Sequence, residues 1–101
     1  MRPLSSDGAD RGVLDVEVTE HAREKYQLRA DALHLLPRLE DAWRQGHELP
    51  TGAWLKGERA RYDPTTRCVF PVRDGKIRTA IYAPSAKPPI QTAVENAGWR
   101  P

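Results

Sequence analysis

"RCVFPVRDGKIRTAIYA", residues Arg67 to Ala83, is the stretch whose reading decides the fold. Two runs rich in Val, Ile, Phe and Tyr flank Asp74-Gly75, and Asp-Gly between such runs is a strong short-range hairpin signal. A third run, "RARYD", joins them through the turn "DPTT", so the segment reads as a three-stranded antiparallel meander. Pro71 has no N–H to give to a ladder, which predicts an irregularity in the middle strand. Alternation along "KIRTAIYA" puts Ile77, Thr79 and Ile81 on one face and Lys76, Arg78, Ala80 and Tyr82 on the other. The isoleucines are expected to face helices, which leaves the Thr79 hydroxyl on the core side in need of a partner.

Upstream, "VLDVEV", Val13 to Val18, alternates apolar and acidic residues with the period of a strand wet on one face. Thr19 suits a helix N-cap and Glu20 and Glu24 complement the helix dipole, so a helix is expected from Glu20 to about Leu28. "DALHLLPRLEDAWRQG" spaces Ala32, Leu35, Leu36, Leu39, Ala42 and Trp43 for one helical face. Pro37 interrupts it, and a restart near Pro37 with an end at about Gln45 is the reading that avoids a missing donor in the helix interior. Residues 46–58, with three glycines and a proline, read as a connection without regular structure. "PSAKPPIQTAVENAGWRP" reads as a proline-rich tail with a short helix from about Ile90 to Ala97, stopped by Gly98.

Helices that precede an antiparallel sheet pack on one of its faces, so the fold class is α+β. The expected form is an N-terminal strand and two helices on a three- to four-stranded antiparallel sheet, with a short C-terminal helix. The expected divisions are a flexible N-terminus over 1–12, an α+β domain over 13–83 and a tail over 84–101.

At 101 residues, with 39% hydrophobic and 30% charged residues, the chain is one globular domain rather than a disordered segment. The net charge of +2 proves nothing about nucleic acid, but its distribution is uneven. From Arg67 onward, Arg67, Arg73, Lys76, Arg78, Lys87 and Arg100 face only Asp74 and Glu95. Cys68, the single cysteine, excludes an internal disulfide and is expected to be a buried strand residue. The N-terminal residues lack the apolar centre of a signal peptide, and no run approaches the roughly 20 apolar residues of a membrane span, so a cytoplasmic location is expected. The spacing of His21, His34 and His47 suggests no metal cage, and no cofactor is expected.

"VTEHAREKYQLR" puts His21, Lys25 and Arg29 in one row of the first helix, beside Ala22 and Tyr26. The plain reading of that row is a solvated face. The chemical reading is a phosphate site, with two cations beside a histidine that can serve as base or acid. Tyr26 and Trp43 read as core, whereas Trp54 and Trp99 read as candidate exposed anchors for a partner.

"HAREKYQLR", the helix ending "AWRQG" and "ARYDPTTRCVFPVRDGKIRTAIY" together resemble RelE-type toxin-related domains. These belong to the barnase, EndoU, colicin and RelE group of metal-independent ribonucleases. The shared pattern is His-Ala on the first helix, a basic residue four positions later, an Arg four after that, and a Thr between aliphatics on a late strand. His21, Lys25, Arg29 and Thr79 stand at those positions, and the resemblance implies that they are catalytic. Lys25 departs from the usual Arg and lacks the guanidinium fork for two-point phosphate contact. The resemblance implies metal-free transesterification, in which an RNA 2′-hydroxyl attacks the adjacent phosphate. Arg23, Arg61, Arg78 and Tyr82 are further candidates for binding RNA, and an antitoxin-like protein is the implied partner. The rival reading is a catalytically silent interaction module, of phage or mobile-element type, that binds and inhibits another macromolecule.

Overall fold

The computed structural model describes residues 14–30, 35–50 and 58–101. Their elements, in chain order, are β1 (Glu17–Val18), α1 (Glu20–Arg29), α2 (Leu39–Gln45), β2 (His47–Glu48), β3 (Ala60–Asp63), β4 (Cys68–Arg73), β5 (Lys76–Ile77), β6 (Ile81–Tyr82), a 3-10 turn (Ala83–Ser85) and α3 (Pro88–Asn96). The fold is α+β. Among the described residues six strands form a mixed sheet in the order β1-β5-β4-β3-β2, with β6 also on β4. All pairs are antiparallel except β1 with β5.

β4 is the centre of the molecule, and its sequence shows why. "CVFPV" is apolar without alternation because the strand is buried on both faces. Cys68, Phe70 and Val72 join a cluster with Ala22 and Tyr26 of α1 and Leu39, Ala42 and Trp43 of α2. Val69 points the other way, into a cluster with Tyr62, Ala83 and Val94 of α3. Helices therefore cover both faces of the sheet. The C-terminal helix is part of the core, with Val94 0% exposed and Ile90 and Trp99 packed beside it. Two prolines at its first positions preset the backbone for helix, and Gly98 at φ 95 ends it.

The hairpin forms as the Asp-Gly pair requires, with positive φ at both Asp74 (56°) and Gly75 (75°). Beyond it the register slips. Val72 pairs with Ile77, but Val69 pairs with Ile81, so Phe70 and Pro71 on β4 face three residues, Arg78, Thr79 and Ala80. That is a β-bulge of one extra residue opposite the proline. The irregularity expected from Pro71 thus falls on the partner strand, while β4 itself runs unbroken through Pro71. The bulge also corrects the expected parity: Ile77 and Ala80 face α1 and α2, whereas Ile81 faces the α3 side.

Three other expectations change. The strand predicted over Val13 to Val18 is regular only at Glu17 and Val18, with Val13 outside the described residues. Pro37 lies two residues before α2 rather than inside its first turn, and Leu35 is 91% exposed instead of lining a helix face. The connection after α2 is not wholly irregular, because His47 and Glu48 pair with Tyr62 and Arg61 of β3. Trp54 and His34 lie outside the described residues.

Candidate functional site

α1 is fixed along the bulged edge by bonds at both ends. At its start the Thr19 hydroxyl accepts from Ala22 N at 3.1 Å, capping the helix, and donates to the Ile77 carbonyl at 2.8 Å. At its end Arg29 Nη1 donates to the Ala80 carbonyl at 3.0 Å. Thr79 lies between those two anchor points, half-buried inside the bulge. Between them Tyr26 packs on Phe70, with ring centroids 5.8 Å apart, and donates its hydroxyl to Pro37 O at 2.6 Å. Burial, with the Asp63 charge as a smaller cause, pushes the Tyr26 phenol well above the usual tyrosine value, so it stays a donor at any working pH.

His21 is exposed, Lys25 half-buried and Arg29 exposed on the flank of α1 beside the buried Ala22–Tyr26 line. Each step of four residues turns the row by about 40°, so Arg29 lies nearest the core line and His21 farthest. That drift explains why Arg29 reaches the bulge while His21 stays in solvent. Lys25 and Arg29 have no acidic partner among the described residues.

Most other candidate cations are neutralised. Arg23 turns to the opposite side of α1 and makes a two-point ion pair with Glu40 of α2. Arg61 binds Glu48 and the Trp43 carbonyl and lies 4.5 Å from the Trp43 ring centroid. These two serve the scaffold and do not join the row. Arg59 completes a network with Asp15 and Glu48 and covers the same indole, whose N–H donates to Asp15 at 3.0 Å. Arg78, next to Thr79, ion-pairs with Asp74 of the hairpin turn. Arg59 holds the Asp15 carboxyl below the usual range, and Arg23 does the same for Glu40.

Beyond Arg29 the surface opens into a groove of about 960 Å³ at the β6 edge. Arg29 and Tyr82 line one part of it and Lys87 another, with no acidic side chain among the described residues of its wall. Sequence reasoning missed Lys87 and Ser85 here and the anchoring role of Thr19; the proline-rich spacing before α3 was the one signal that the chain turns back at this point. Among the described residues no three His, Cys, Asp or Glu side chains cluster as metal ligands, and no helix is long and apolar enough to cross a membrane.

The architecture defines a small α+β domain whose first helix is anchored along the bulged edge of a mixed sheet. Residues 18–84 match the family model described as "Putative RelE superfamily toxin domain", and the chain belongs to that family. The matched span runs from the end of β1 through β6 and includes His21, Lys25, Arg29 and Thr79, but stops before Lys87 and α3. No curated protein and no solved structure matches the chain.

Proposed function

We propose that the domain binds RNA along α1 and cleaves it without metal. The observation that carries this reading is the pairing pattern. Arg23, Arg44, Arg59, Arg61 and Arg78 spend their charge on carboxylates, whereas Lys25 and Arg29 on the His21 row, like Arg38, Arg73, Lys76, Lys87 and Arg100, form no ion pair among the described residues. Unneutralised cations in a row beside a histidine suit a phosphate backbone, because each contact releases condensed counterions.

In the reaction a base takes the proton of an RNA 2′-hydroxyl, and that oxygen attacks the neighbouring phosphorus. The bond to the 5′-oxygen breaks, and that oxygen takes up a proton, leaving a 2′,3′-cyclic phosphate and a 5′-hydroxyl. His21 serves as the base or the acid. Lys25 and Arg29 stabilise the charge growing on the phosphate oxygens. The Thr79 hydroxyl, beside the carbonyl that holds Arg29, orients the phosphate, and Tyr82 extends the contact along the strand. Lys25 offers a point charge where a guanidinium would grip two oxygens, so phosphate clamping leans on Arg29. An antitoxin-like protein is the expected partner, in the cytoplasm.

The test is incubation of the purified chain with single-stranded RNA in excess chelator. Products ending in cyclic phosphate are expected, and intact RNA at high enzyme concentration contradicts the catalytic reading. A catalytically silent interaction module is the second reading, favoured by one observation: Leu28 is 77% exposed at the end of the same helix.

A further inference from the structure

Pro71 stands inside β4, a strand with neighbours on both sides, where proline is normally excluded unless a bulge lies there. The direction of its missing donor follows from the residues around it. Val72 N donates to Arg59 O at 2.8 Å, next to β3, so the even-numbered residues of β4 turn their backbone groups that way. The odd-numbered residues turn theirs towards β5 and β6, and there Arg78 N donates to Pro71 O at 3.0 Å. Residues that face each other at such a position of an antiparallel ladder exchange two bonds. Proline accepts the one and cannot return the other.

That half-made pair lies opposite the extra residue of the bulge, where Arg78, Thr79 and Ala80 face Phe70 and Pro71. An N–H at position 71 would be buried and would need an acceptor, and the acceptors on that side are the carbonyls of the bulge. Bonding one of them would draw the bulge in towards β4. With proline in place, α1 holds the segment from the other side. The Thr19 hydroxyl donates to Ile77 O at 2.8 Å at one end, and Arg29 Nη1 donates to Ala80 O at 3.0 Å at the other. Thr79 sits between them, half-buried. One Nη of Arg29 is thereby committed to a carbonyl, which fixes the plane of the guanidinium and leaves its other N–H groups for phosphate oxygens.

We infer that Pro71 is a positioning residue for the site on α1: by withholding one ladder donor it keeps the bulge open, and the open bulge sets the Thr79 hydroxyl and, through the Ala80 carbonyl, the Arg29 guanidinium. Its effect on rate rests on the RNA-cleavage reading, whereas the linkage of position 71 to Arg29 rests on the backbone alone. Pro71 is buried and acts through that backbone, not by contact with phosphate.

The experiment compares three full-length chains. They are wild type, Pro71→Val, and a chain with the α-hydroxy acid analogue of valine at position 71, which has the valine side chain but an ester oxygen in place of the N–H. The readouts are the Arg29 Nε–H resonance and the cleavage of single-stranded RNA in chelator. In Pro71→Val the resonance should shift and exchange faster with solvent, and kcat should fall about tenfold with KM within about twofold of wild type. The ester analogue should match wild type in both. Arg29→Ala added to Pro71→Val should lower kcat by much less than it does in wild type, because the guanidinium is already out of place. An Arg29 resonance unmoved in Pro71→Val overturns the inference, as does an ester analogue impaired as much as Pro71→Val, or a moved resonance with unchanged kcat. A wild type that cleaves no RNA contradicts the RNA reading instead, and the resonances then decide the linkage without it. Should Pro71→Val not unfold cooperatively, Pro71→Ala and its own ester analogue carry the same comparison.

Discussion

Thr19 uses one oxygen twice, as acceptor for the first turn of α1 and as donor to the β5 carbonyl. Removing it frays the helix start and releases one anchor of the His21 row. Thr19→Ala is expected to cost roughly 1–2 kcal/mol, and Thr19→Ser to recover most of it, as read by urea denaturation. An equal loss in Thr19→Ser and Thr19→Ala would show that the methyl group, not the hydroxyl, matters. Tyr26→Phe keeps the ring against Phe70 but strands the Pro37 carbonyl, at a cost of about 1–2 kcal/mol by the same measurement. His21 stands in solvent, so His21→Ala should leave stability within roughly 0.5 kcal/mol. Arg29→Ala, which removes one phosphate cation, should reduce the slope of log affinity for single-stranded RNA against log salt by about 0.7. An unchanged slope would remove Arg29 from the RNA surface.

Elements explain what the sequence could reveal. The hairpin was legible because Asp74 and Gly75 tolerate the positive φ that a two-residue turn imposes. Gly75 has nothing within 4 Å of where a Cβ would stand, so Gly75→Ala should cost about 1 kcal/mol by backbone strain alone. The row of His21, Lys25 and Arg29 was legible too, since helical spacing fixes which residues share a flank. The bulge was only half legible. Pro71 signals that a ladder breaks, but not which strand takes the extra residue, and that choice moves Ile81 to the opposite face. Pairings of Arg23 with Glu40 and Arg61 with Glu48, 17 and 13 residues apart, were not legible, because no local period connects them. β2 escaped notice because two residues carry no period. The placement of α3 depends on which sheet face is left bare, and only the doubly apolar run of β4 hints at that. Truncation before Lys87 exposes the face around Tyr62 and Val69 and should abolish cooperative unfolding. Val94→Ala, a milder change, should cost about 2 kcal/mol.

At the scale of the whole molecule, carboxylates neutralise Arg23, Arg44, Arg59, Arg61 and Arg78, and Lys25 and Arg29 on the flank of α1 are among the described cations without an ion pair. Glu40 has its pKa depressed, chiefly by the Arg23 hydrogen bonds, and its side chain is only 14% exposed. A depressed acid pKa contributes stability that is fully present above the unfolded value and disappears as pH falls through the folded value. Thermal stability should therefore hold between about pH 5 and 8 as far as this pair is concerned, and fall below about pH 4. Glu40→Gln should flatten part of that fall. Asp15 and Glu48, half-exposed on Arg59, add less because solvent and salt screen them. The same division of charge underlies the functional claim that His21 moves protons while Lys25 and Arg29 hold phosphate. The most direct measurement is RNA cleavage and RNA affinity in chelator for wild type and His21→Ala side by side. The account predicts cleavage reduced by roughly 10²- to 10⁴-fold with affinity nearly unchanged. Cleavage that survives in His21→Ala, or affinity lost in step with it, would contradict the account.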